Sequence, residues 1–259
     1  MNRTTRSVLE SLLPTGAPVP EEFICLACKT PDASTPEFAM WAAEHRSDLV
    51  GVVMPCDCKQ KAIAAAEADQ QRREEANLPA RNATFANWQH DESSAEMWRT
   101  VEMWATHGPR EYSCLTLVGV TGSGKSHLME AAGRVMLDRG LNVRYERAGV
   151  LLDHLRATFD SSEEQSLHDR LDWYQSRAVL LLDDIGMHKQ SDWGEGYITS
   201  LVEQRILDRA PLMVATNFVN ADEMAASWGD RLASRLFDRH SGSVRVVVSE
   251  APDYRLGTS

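Results

Sequence analysis

Eight consecutive residues, Gly119, Val120, Thr121, Gly122, Ser123, Gly124, Lys125 and Ser126, carry the pattern G-x-x-x-x-G-K-S. Glycine is needed where the backbone turns sharply and approaches phosphate, so that successive N–H groups face its oxygens. Lys125 is expected to reach the β- and γ-phosphates, and Ser126 to offer a hydroxyl to Mg²⁺. The helix that Ser126 opens would direct its positive N-terminal end at the same charge. An apolar run precedes the loop and an amphipathic stretch follows it, the context that confirms this motif. The expectation is ATP binding.

Hydrolysis requires a second site. The run Ala178, Val179, Leu180, Leu181, Leu182 ends in Asp183 and Asp184. That places two acids at the C-terminal end of a buried strand, where open α/β sheets bind ligands. Asp183 would hold Mg²⁺, directly or through water, and Asp184 would orient or polarise the attacking water. Capping of the next turn is the plainer role for the pair.

Four of the five cysteines are clustered as Cys25-x-x-Cys28 and Cys56-x-Cys58. Four thiolates suit a closed tetrahedral Zn²⁺ site, and metal binding could fold a segment whose apolar content is thin. A C-x-x-C pair alone could be redox-active, and His45 between the pairs could substitute as a ligand or simply lie on the surface. Cys114, in an apolar run, reads as a small packing residue.

The elements that must position these residues follow from periodicity. Ser113–Val118, Val143–Glu146, Ala178–Leu182, Leu212–Ala215 and Val244–Val248 read as strands. Helices are expected over Lys125–Arg139, with Gly140 closing it, and around Gly149–Phe159, Glu163–Gln175 and Glu195–Arg209. Alternating strands and helices predict an α/β fold with a parallel central sheet. The run from Lys59 to Asn77 has strong helix formers and little to bury, which predicts an exposed linking helix ended by Leu78-Pro79. The expected organisation is a cysteine-rich module at residues 1–60, a helical linker at 61–80 and an ATPase domain at 81–259.

Composition narrows the function further. A formal charge of −11 argues against nucleic-acid binding through bulk electrostatics. No apolar run is long enough to cross a bilayer, and Met1–Glu10 lacks the apolar stretch of a secretory signal, so the expected location is cytoplasmic, with no membrane partner.

Taken in order, the motifs resemble the AAA+ ATPases of the DnaC/DnaI helicase-loader group, with the IstB transposition ATPases as close relatives. The resemblance runs from about Arg81 to Arg255. Arg81-Asn82-Ala83-Thr84-Phe85 looks like the lead-in motif of that core, and Leu181-Leu182-Asp183-Asp184-Ile185-Gly186 continues the pattern. Ala215-Thr216-Asn217 is similar to sensor 1, which implies that Asn217 positions water and the γ-phosphate; capping the next turn is the alternative. Gly229-Asp230-Arg231-Leu232-Ala233-Ser234-Arg235-Leu236 is similar to the arginine-finger segment, which implies Arg235, or else Arg231, as the finger. A surface ion pair is the plainer role for either. Asp253-Tyr254-Arg255 looks like sensor 2, with Arg255 reaching the phosphates. Four residues follow it, so a C-terminal helical lid is not expected. One departure is Asp184, where many AAA+ proteins carry Glu.

The resemblance implies an ATP- and Mg²⁺-dependent loader that delivers a hexameric DnaB-type replicative helicase onto single-stranded DNA, docks through its cysteine module, and works as a homo-oligomer, a hexamer or open spiral. An IstB-like transposition ATPase and a nucleotide-gated adaptor with negligible turnover are the alternatives. His188 and Lys189 could face DNA in a central channel, or belong to an ordinary exposed loop.

Overall fold

The computed structural model describes residues 19–45, 55–89, 92–109, 111–157, 164–186 and 192–254. Within them, short apolar runs form the strands β1 (Cys114–Gly119), β2 (Val143–Arg147), β3 (Val179–Ile185), β4 (Leu212–Thr216) and β5 (Val244–Ser249). All pairings are parallel, in the order β2-β3-β4-β1-β5. Parallel neighbours require crossovers, and the helices supply them. The α-helices are α1 (Pro36–His45), α2 (Asp57–Glu75) and α3 (Ala95–His107), which precede β1, and α4 (Lys125–Asp138), α5 (Ala148–Ala157), α6 (Glu164–Gln175), α7 (Asp192–Leu207) and α8 (Ala221–Leu236), which lie in the crossovers.

Every residue of β1 and β4 is buried, as expected for strands covered on both faces. Alternation along β3 divides the apolar core in two. Leu180 and Leu182 join a cluster with Leu151 of α5, Ile198 of α7 and Trp228 of α8, while Leu181 joins Val101 of α3 and Leu128 and Met136 of α4. The result is a sheet between two helical layers.

The chain separates into two compact units, Met1–Gln71 and Arg72–Ser259. The second begins earlier than the expected boundary near residue 80 because the end of the linking segment is built into it. Ala76 is fully buried, its carbonyl accepts from Tyr145 N at 2.8 Å, and Leu78 packs against the α3–α4 core. Helix α2 buries none of its own residues, in keeping with its polar composition. In the first unit Phe38 and Ala42 of α1 are buried with Ala33, and Val19, Phe23 and Trp41 pack around them, so this segment does hold an apolar cluster, though a small one.

Helices α3 and α8 have no counterpart among the expected elements of the ATP-binding segment. In α3 the buried residues Met97, Val101, Trp104 and Ala105 follow helical spacing, but the charged residues between them dilute the pattern. In α8 the series Met224, Trp228, Leu232, Leu236 is interrupted by Gly229, whose φ of 77° kinks the helix. No helix among the described residues is long and apolar enough to cross a membrane.

Candidate nucleotide site and cysteine cluster

The loop Gly119–Ser126 leaves the C-terminal end of β1 and enters α4. Gly124 caps that helix with φ 89°, a left-handed conformation that only glycine adopts without strain. A Cβ at Gly124 would overlap the ring of Trp88, and one at Gly122, φ 78°, would overlap the Asp253 carboxylate. The loop is therefore packed from outside as well as turned from within. Gly124→Ala is expected to cost about 1–3 kcal/mol of stability and to abolish nucleotide binding, checked by denaturant unfolding and titration with a fluorescent ATP analogue.

Lys125 is 7% exposed, and its ammonium donates to Gly119 O at 2.7 Å, Val120 O at 2.8 Å and Ser123 Oγ at 3.3 Å. The cation is thus held over the loop by the loop's own oxygens. Tyr254 N donates to Gly122 O at 3.2 Å, bringing the segment after β5 onto the same loop. Arg255 lies outside the described residues, as do His188 and Lys189.

Asp183 and Asp184 sit where the β3–β4 ladder breaks. Leu182 pairs with Val214 but Ile185 with Thr216, so β3 carries one extra residue at the two acids. Such a bulge re-aims side chains. Asp183 is 3% exposed, whereas Asp184 is exposed and has φ 57°. A short polar side chain is favoured in that region because it can bond to nearby backbone, which gives a physical reason for Asp rather than Glu here. Asp183 Oδ1 accepts from Asp184 N at 2.8 Å, and its Oδ2 accepts from Tyr145 OH at 2.5 Å. Asn217 follows β4 directly. A side chain on Gly186 would come within 3.2 Å of Asp184 Oδ1 and 3.8 Å of Asn217 Nδ2, so these two predicted groups converge on one glycine.

Because β3, β4 and β1 are neighbours, the acids, Asn217 and the phosphate loop share one edge of the sheet, at the carboxyl ends of its strands. The donor set of Ser126 hydroxyl and Asp183 carboxylate is hard oxygen, which fits Mg²⁺.

The two arginines of α8 are held elsewhere. Arg231 grips both oxygens of Glu203 on α7, Nε–Oε1 at 2.8 Å and Nη2–Oε2 at 2.6 Å, while Arg235 touches Oε1 through Nε alone at 3.1 Å. Their side chains are 73% and 50% exposed. Burial opposes ionisation of Glu203, but Arg231 and Arg235 outweigh it and hold the carboxyl below its usual range. The tie is therefore present above the ordinary carboxylate range and is lost as pH falls through the lowered value.

Sequence reasoning missed Tyr145, Trp88, Glu203 and the pair Arg81–Glu130, in which a fully buried Glu130 on α4 accepts from Arg81 Nε at 2.7 Å. Each gains its role from a residue distant in the chain, and nothing local marks it.

In the first unit the Sγ atoms of Cys25, Cys28, Cys56 and Cys58 lie within 4.8 Å of one another. Zn–S bonds of about 2.3 Å place tetrahedral sulfurs about 3.8 Å apart, so the four thiols fit that ion. Cys58 is 3.2 Å from Cys56 and 3.3 Å from Cys25. The Thr30 hydroxyl lowers the Cys28 thiol to about 6, whereas bonds with Cys56 and Cys25 raise Cys58 to about 12. Thr30 Oγ1 also accepts from Asp57 N at 3.1 Å, tying the two cysteine pairs together. His45 is outside the cluster, its ring stacked on Trp41 and its Nδ1 3.0 Å from Trp41 O. Cys114 is fully buried in β1, and burial raises its thiol to about 12.

Residues 48–259 match the family described as IstB-like ATP binding protein. The chain belongs to this family. This IstB-like chain is 29% identical over 134 residues to the replicative helicase loader DnaC of Escherichia coli strain K12, which covers 51% of the chain and 52% of that protein. It is 24% identical over 139 residues to a putative ATP-binding protein, Rv3427c, in an insertion sequence of Mycobacterium tuberculosis, covering 54% of each. It thus spans about half the length of these curated relatives. Among solved structures, that of the DnaC helicase loader superposes with a TM-score of 0.57 at 22% identity, covering 66% of this chain and 98% of that one. AMPPCP-bound DnaA from Aquifex aeolicus gives 0.58 at 21% identity, covering 67% and 51%. The fold is that of the DnaC helicase loader structure, a parallel sheet between two helical layers with a P-loop after its first strand.

Proposed function

We propose that this protein is an ATP-dependent loader of a DnaB-type replicative helicase, hydrolysing ATP while it delivers the hexameric helicase onto single-stranded DNA in the cytoplasm. The observation that carries this reading is the four-cysteine cluster on a unit distinct from the ATPase, which supports a structural Zn²⁺ module made for docking a partner. The family resemblance implies such a module in the helicase loaders rather than in the IstB transposition ATPases.

In this reading the loop N–H groups and Lys125 bind the β- and γ-phosphates, and Ser126 and Asp183 hold Mg²⁺. Bound there, the ion offsets charge on the transferring phosphoryl oxygens. Asp184 orients the attacking water, Asn217 holds that water and the γ-phosphate, and Arg255 reaches the phosphates from the C-terminal segment. Arg235 serves the nucleotide of a neighbouring subunit, with Arg231 as the second choice, so turnover depends on a homo-oligomer, a hexamer or open spiral. The single-point hold of Glu203 on Arg235 supports this order, because it leaves the outer guanidinium nitrogens for a second subunit.

The test is copurification with the host's replicative helicase. The wild type is expected to retain the helicase, and the double variant Cys25→Ser, Cys28→Ser to lose it while still binding ATP. Failure of the wild type to bind any replicative helicase would overturn the loader reading. The insertion-sequence relative favours transposition ATPase as the second reading, for which binding to duplex DNA with a transposase is the expected result. A nucleotide-gated adaptor would show no turnover with or without single-stranded DNA.

A further inference from the structure

We propose that Tyr145 is a positioning residue for the divalent ion, fixing the carboxylate of Asp183 in the orientation that Mg²⁺ requires. The inference rests on the reading of Asp183 as the ion's carboxylate.

Tyr145 lies on β2, beside β3, with Tyr145 paired to Leu181 and Arg147 to Asp183. It is 3% exposed and lies in the α3–α4 core, which by itself would describe a packing aromatic. Its hydroxyl, however, donates to Asp183 Oδ2 at 2.5 Å, while Asp183 Oδ1 accepts from Asp184 N at 2.8 Å. Each carboxylate oxygen therefore has one fixed donor and one remaining lone pair for the ion or a water bound to it. Two donors on opposite oxygens remove the rotation about the Cβ–Cγ bond that a single donor would leave.

The donor is itself fixed. Tyr145 N donates to Ala76 O at 2.8 Å, and Asn77 Nδ2 donates to Tyr145 O at 3.2 Å, so the outer edge of β2 is pinned at this residue. A phenol is protonated at neutral pH, so the hydroxyl is available as a donor. A phenylalanine would pack as well, and only the hydroxyl answers to Asp183. Hydrogen-bond partners of metal ligands typically contribute tenfold or more to metal affinity because they orient the ligand.

The test uses the full chain with a non-hydrolysable ATP analogue kept below the protein concentration, so that all nucleotide is bound. Mn²⁺ is titrated in place of Mg²⁺, and free Mn²⁺ is read by electron paramagnetic resonance. Tyr145→Phe is expected to weaken Mn²⁺ binding about tenfold while leaving nucleotide affinity in EDTA and the melting temperature near wild type. If Tyr145→Phe binds Mn²⁺ like the wild type while Asp183→Asn binds it weakly, the positioning role is overturned and the reading of Asp183 survives. If Asp183→Asn also binds like the wild type, that reading fails and the proposal with it. Should Tyr145→Phe not fold, fluorotyrosine at position 145 of the otherwise wild-type chain provides a second measurement. A ¹⁹F shift on adding Mg²⁺ to the nucleotide-bound protein is expected, and an unmoved signal would overturn the proposal.

Discussion

Replacing Arg235 by alanine is expected to lower ATP hydrolysis in the assembled protein by about a thousandfold or more, the scale on which an arginine finger acts, while nucleotide affinity changes little. The argument is geometric. Glu203 is held on both oxygens by Arg231, and Arg235 meets it with Nε only. Removing Arg231 leaves Arg235 as the sole counter-charge of a side chain that is 9% exposed, which draws Arg235 inward. Arg231→Ala should therefore show a smaller fall. The decisive measurement mixes Arg235→Ala subunits with Lys125→Ala subunits, neither active alone. A finger acting across an interface restores part of the rate in the mixture, and no restoration would show that Arg235 acts within its own chain or not at all.

On the proposed reading of the cysteine cluster as a Zn²⁺ site, chelation should unfold the first unit and leave the second intact. The buried apolar residues Ala33, Phe38 and Ala42 form too small a core to offset the entropy of ordering that segment. In zinc-dependent folds, metal binding contributes about 10–16 kcal/mol of folding free energy at neutral pH. Hydrogen exchange on the full chain is the appropriate readout. After chelation, amides of residues 19–45 should exchange at the rate of an unfolded chain, while those of β1, β3 and β4 keep their protection and nucleotide binding persists. Unchanged protection of residues 19–45 would mean that the cluster is not a folding site.

How much of this could be read in advance depended on how local the cause was. The phosphate loop was legible because its pattern lies within eight contiguous residues. Strands β1, β3 and β4 were legible because burial on both faces leaves mostly apolar side chains. The cysteine spacing was legible because thiolates have few other reasons to cluster. The charged linking helix was evident from propensity, but its junction with the second unit was not, since Ala76 is an ordinary helix former until its carbonyl accepts from Tyr145 N.

The sequence by itself therefore determined the class of ligand, the α/β order and the presence of a four-thiol cluster, all properties written in short contiguous patterns. Only the tertiary structure decided how the groups act together. It set Asp183 and Asp184 in a bulge of β3, brought Asp184 and Asn217 to the same glycine, Gly186, gave Asp183 a hydroxyl from Tyr145, and tied both arginines to Glu203. The same holds for Arg205, which is fully buried and whose two Nη groups donate to the carbonyls of Tyr174, Gln175, Arg177 and Pro211. A buried polar group must find its partners wherever the fold brings them, and sequence distance carries no record of which ones it finds.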